Sequence, residues 1–65
     1  MELTEAQKLL IECLKHFGVS KGRAMAVFMM LQEDDQRMDM IEYLLNEPEM
    51  TDEKAMEKAR ELAAD

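Results

Sequence analysis

Cysteine occurs once in this 65-residue chain, at Cys13, so no disulfide can form within it. One proline (Pro48) and two glycines (Gly18 and Gly22) leave little material for long loops. Tryptophan is absent. Two valines, two isoleucines, two phenylalanines and one tyrosine are too few strand-favouring residues to build a sheet. The longest apolar run, Ala24 to Leu31, has eight residues. A bilayer span needs roughly 20, so no membrane partner is expected. A lone thiol and no secretory signal pattern are features of a cytoplasmic protein.

What is present favours helix. Ala, Leu, Met, Glu, Lys, Gln and Arg dominate, and these are the strongest helix formers. With 48% apolar residues the chain does not have a disordered composition. At this length it forms one helical domain, residues 1–65. Such a domain buries only roughly 60% of its unfolded surface. Its core rarely contributes more than about 3–5 kcal/mol of net stability, so with disulfides excluded it needs dense helix packing, a metal or a partner.

The expected fold is all-α, a compact bundle of four short helices at about 5–17, 21–33, 35–46 and 52–64. Thr4 and Gln7 form a capping-box pattern ahead of the first helix. Ala6, Leu9, Leu10, Cys13, Leu14 and Phe17 share one of its faces, and Gly18 stands where a left-handed C-cap belongs. Ser20 is the expected cap of the second helix, whose core stripe is Ala24, Val27, Phe28 and Leu31. Met25 and Met29 fall on one flank and Met30 on the other. This helix is apolar nearly all round, which marks a central position or a spare face. Asp34 or Asp35 caps the third helix, with Met38, Ile41, Leu44 and Leu45 inward and Met40 and Tyr43 at the stripe edges. Pro48 prevents its continuation. Thr51 caps the fourth helix, whose apolar side is Ala55, Met56, Ala59, Leu62 and Ala63.

The net charge of −7 is unevenly placed. Acids and bases balance over residues 1–33, so residues 34–65 carry all of it. From Lys15 to Arg23 there is no acid, and with His16 this stretch is the one anion-facing surface.

No catalytic chemistry is legible. Cys13 and His16 stand three apart on a helix, but two ligands do not make a zinc site and no other Cys or His exists. Cys13 lies in the core stripe, where a thiol packs as a small apolar group. Asp34, Asp35 and Asp39 lack the alternation and glycine turn of a calcium loop. No glycine-rich phosphate loop occurs. The expectation is a non-enzyme without metal, cofactor or small-molecule substrate.

Two resemblances arise at Phe17-Gly18-Val19-Ser20. Gly18-Val19-Ser20 between two helices, with Leu14, Ala24 and Val27 at apolar positions, resembles the turn of the helix-turn-helix family. That resemblance implies a second helix lying in the DNA major groove, and a dimer. The phosphate contacts would be His16, Lys21 and Arg23. The apolar middle of the second helix reads bases poorly, which ranks DNA below protein as the partner. The same turn with Ala24 and Tyr43-Leu44-Leu45 resembles the ubiquitin-associated three-helix fold. That resemblance implies a binding module whose loop and third-helix end contact another protein.

Eight methionines add flexible, polarizable surface suited to adaptable contacts. The leading expectation is therefore a protein-interaction module, binding another protein or itself through Met25, Met29, Met30, Met40 and Tyr43. The alternative is a helix-turn-helix-like DNA-binding regulator acting as a dimer. A minor alternative is an acidic inhibitor that mimics nucleic acid through residues 34–65.

Overall fold

The computed structural model describes residues 2–64. They form four helices: α1 (Glu5–His16), α2 (Lys21–Met30), α3 (Asp34–Asn46) and α4 (Asp52–Ala64). The protein is an all-α four-helix bundle, as its composition dictates.

Local chemistry sets most of the boundaries. Thr4 caps α1 in a reciprocal box: its hydroxyl accepts from the Gln7 amide at 3.1 Å, and its amide donates to Gln7 Oε1 at 2.7 Å. The helix closes on Gly18, whose φ is +77°. The Gly18 amide donates to the Lys15 carbonyl and the Val19 amide to the Leu14 carbonyl, a Schellman closure. The Thr51 hydroxyl accepts from the Lys54 amide at the start of α4. Glu47, ahead of Pro48, is extended and ends α3.

Two boundaries and one cap differ from the sequence reading. The α2 helix stops at Met30 instead of Glu33. Leu31 turns into an extended conformation and is fully buried, and the Gln36 carboxamide then accepts from the amides of Gln32 and Glu33. A side chain from the next helix thus satisfies the donors that further helix would have used. For the same reason Glu33, not Asp34 or Asp35, holds the N-cap position of α3. Ser20 stands at the N-cap of α2, yet its side chain makes no capping hydrogen bond. Its amide donates instead to Asp52 Oδ1 at 3.0 Å.

The helices pack as a ring. α1 contacts α2 and α3, and α4 contacts α2 and α3, while the pairs α1/α4 and α2/α3 stand on the diagonals. Three hydrogen bonds fix the polarity. Thr4 Oγ1 donates to Asp34 Oδ1 at 3.2 Å, joining the starts of α1 and α3. The Ser20–Asp52 bond joins the starts of α2 and α4. Gln36 Nε2 donates to the Leu62 carbonyl, so α3 and α4 run in opposite senses. No helix is central, which corrects the expectation for α2. Its apolar circumference is explained by two packed sides plus a third, solvent-facing one.

The core contains Leu10 and Leu14 from α1, Val27 from α2, Leu31 after it, Met40, Ile41 and Leu44 from α3, and Ala55, Ala59 and Leu62 from α4. A fully buried leucine contributes about 1.5–3 kcal/mol, so these few side chains carry most of the fold. The alanines of α4 let it approach both neighbours closely. Several facing assignments are corrected. Met40, expected at an edge, is completely enclosed, whereas Leu9, Met38 and Leu45, expected inside, are exposed. Ala63 is exposed too, and Cys13 and Phe17 are half-buried. In a ring of four short helices each helix meets two neighbours, so the enclosed arc narrows and shifts off the wheel's apolar centre.

Arg37 is the one buried charged residue among those described. Its Nη1 donates to Asp34 Oδ1 at 2.6 Å, while its Nε has no hydrogen-bond partner. Asp34 therefore ties the α1 cap to the α3 interior.

Candidate functional site

Between α1 and α2 lies a groove of about 670 Å³. Its floor is Ile11 and Leu14 of α1, Val19 of the turn, and Ala24 and Phe28 of α2; Leu3, Met25 and Met29 stand at its edges. Met25 is 57% exposed and Met29 is 72% exposed. They are one helical turn apart, so both point the same way from α2. Two cations, Lys15 and Lys21, complete the lining. Both are exposed, and among the described residues neither has an ion-pair partner.

The groove has two unlike ends. α2 runs back along α1, which places Leu3 and Met29 at the end where α1 begins and α2 finishes. Lys15 and Lys21 flank the connecting turn at the other end. The apolar character of the floor follows from local sequence: Ile11 lies 100° from Leu10 on the wheel, outside the core arc but toward α2. Leu3 precedes the Thr4 cap, where an apolar residue usually staples to the fourth helical position. That position is Lys8, so Leu3 is left without its staple and lines the groove instead. Sequence reasoning did not single out Leu3 or Ile11, and named Lys15 only as the start of the acid-free stretch. The unmatched staple at Leu3 and the Ile11/Lys15 pairing at i, i+4 were the signals for them.

The structure divides the five residues read from sequence as a partner surface. Met25 and Met29 line the groove together. Met30 is half-buried and packs on the core from the opposite flank of α2. Met40 is enclosed and reaches no surface. Tyr43 lies on the far side of the bundle, in a recess between α3 and α4 with Asp39, Glu42 and Asn46, and Lys58 Nζ sits 5.4 Å from its ring centre.

The three cationic positions are divided as well. His16, Lys21 and Arg23 are all exposed. His16 packs its ring edgewise on Phe17, centroids 5.0 Å apart. Arg23 faces a different recess, between α2 and α4, shared with Asp52, Glu53, Glu57 and Arg60. The N-terminal end of α2 already holds an anion, the Asp52 carboxylate. The Ser20 amide, then the Ser20 hydroxyl and the Arg23 charge, hold that carboxyl below the usual carboxylate range.

Of the residues that resemble the ubiquitin-associated pattern, Leu44 is fully buried and Leu45 exposed. A fourth helix closes on that region from the side of α3. Burial, and secondly the Glu12 charge, push the Cys13 thiol up, which favours the protonated form. Among the described residues no three Cys, His, Asp or Glu side chains gather as metal ligands. Among the described residues no helix is long and apolar enough to cross a membrane. No protein family, curated protein or solved structure compared with the chain matches it.

Proposed function

We propose that this protein is a non-catalytic interaction module and that the α1/α2 groove is its binding surface. One observation carries the reading: two methionines more than half exposed stand over a continuous apolar floor. Single exposed apolar residues are ordinary on a protein surface, whereas a contiguous apolar groove edged by charge is a feature of binding sites. Methionine suits the purpose, because its unbranched thioether side chain adapts to a partner at small cost. The flanking helices hold the floor rigid through Leu14, Val19 and Val27, so the partner orders against a formed surface.

The DNA-binding reading draws less support from the same geometry. The outward face of α2 is apolar, and Asp52, Glu53 and Glu57 stand beside Arg23, where a phosphate would have to approach.

The test is selection of a displayed library of random 16-residue peptides on the immobilised protein. Binders are expected that Met29→Glu abolishes, with the thermal midpoint and helical circular dichroism of that variant unchanged. Peptides that bind the wild type and the Met25→Glu and Met29→Glu variants alike would remove the groove as the site.

A further inference from the structure

Resting on the groove as the binding surface, we infer that its occupant is an amphipathic helix of a different chain, with acidic residues clustered at one end.

The dimensions indicate a helix. α2 has ten residues, and at 1.5 Å per residue it offers a wall of roughly 15 Å. That length accepts about three turns, whose apolar residues at i, i+3 or i+4, and i+7 lie along one face. The prominent exposure of Met25 and Met29 leaves them free to close over such a ridge.

Charge selects the rest. Lys15 and Lys21 flank the turn end of the groove without ion-pair partners among the described residues, and no acid occurs between them in the sequence. The opposite end is formed by Leu3 and Met29 and has no cation in its lining. A partner helix with carboxylates at one end complements this asymmetry, and in only one direction. Charges at the rim of an interface act mainly on orientation and encounter rate, and such pairs are worth less as salt rises.

The same charges argue against a second copy as occupant. In a symmetric dimer through this face the lysine end of one groove meets either its own counterpart or the apolar Leu3/Met29 end of the other, and two chains of net charge −7 are brought together. Among the described residues no carboxylate lines the groove to compensate.

The peptide selection described above tests the inference when the pool is read for charge. The expected pool combines apolar residues at i, i+3 or i+4, and i+7 with Asp or Glu at one end. A synthetic representative should bind roughly three- to tenfold tighter than its counterpart with Lys at that end. The Lys15→Glu/Lys21→Glu variant should reverse the order. Met29-dependent peptides without an acidic preference, indifferent to the lysine reversal, leave the groove in place and overturn the acidic partner. Failure to recover any Met29-dependent peptide overturns the groove itself. Sedimentation equilibrium showing micromolar self-association that Met29→Glu abolishes would make a second copy the occupant. Met29-dependent binding of dodecanoate, with no peptide competing, would make the groove a lipid site.

Discussion

Replacing each glycine by alanine is the same chemical change, yet the structure assigns the two positions opposite signs. Gly18 closes α1 at φ +77°, and a Cβ placed there meets nothing within 4 Å. The cost of Gly18→Ala is thus purely conformational. The left-handed region costs an L-residue roughly 1–2 kcal/mol. Restricting the unfolded chain returns roughly 0.4–1 kcal/mol. The net is a loss of about 1 kcal/mol, which lowers the melting temperature of a domain this size by about 4–8 °C. Gly22 lies inside α2, and its Cβ also meets nothing within 4 Å. Gly22→Ala gains helix propensity, which already contains the unfolded-state effect, so it should stabilise by about 0.5–1 kcal/mol. Thermal melts followed by circular dichroism at 222 nm, with urea titrations alongside, measure both. If the two variants move the midpoint in the same direction, the Schellman closure at Gly18 or the helical placement of Gly22 is wrong. An unchanged Gly18→Ala midpoint would mean that the turn relaxes out of the left-handed region at no cost.

Leu44 is fully buried, and Leu44→Ala should cost about 2–5 kcal/mol, comparable to the whole stability of a domain this small; a urea midpoint lowered by less than about a third would contradict the assigned core. The Arg37–Asp34 pair should behave asymmetrically. Asp34→Ala strips a buried guanidinium of its carboxylate and destabilises by about 1 kcal/mol, given that Asp34 itself is half-exposed, while Arg37→Met should be neutral or stabilising. Differential scanning calorimetry of the two variants checks that order. Asp52 has a folded-state pKa below its unfolded value, so its contribution is fully present above the ordinary carboxylate range near pH 4 and is lost as pH falls through the lowered value. Asp52→Asn should therefore lower the urea midpoint at pH 7 and flatten its decline between about pH 5 and pH 2; parallel acid profiles for the two proteins would refute the Ser20–Asp52 link.

Helix identity and most helix starts were legible in local sequence. Thr4, Gln7, Gly18, Thr51 and Pro48 act on residues within one turn of themselves, so their effect does not depend on what packs elsewhere. The end of α2 and the start of α3 were misplaced because Gln36, at the third position of α3, closes a capping box on Glu33; Ser20 kept its cap position, but a distant residue took its amide. Gln36 collected the Gln32 and Glu33 amides, and Asp52 took the Ser20 amide that a local cap would have left to water. The candidate site was half legible. Met25 and Met29 shared a flank on the wheel, and they share the groove.

Composition and short-range spacing alone determined that this protein is helical, has four helices, and bears apolar residues beyond what a small core absorbs. Only the tertiary structure decided which of those residues are surplus. A helical wheel gives the direction of a side chain about its own axis, but burial depends on where the neighbouring axes stand. The ring places α1 and α3 so that Met40 is enclosed and Met38 and Leu45 are not. It sets α2 beside α1 without covering their shared outer face, and that arrangement joins Leu3, Ile11, Phe28 and Met29, distant in sequence, into one groove.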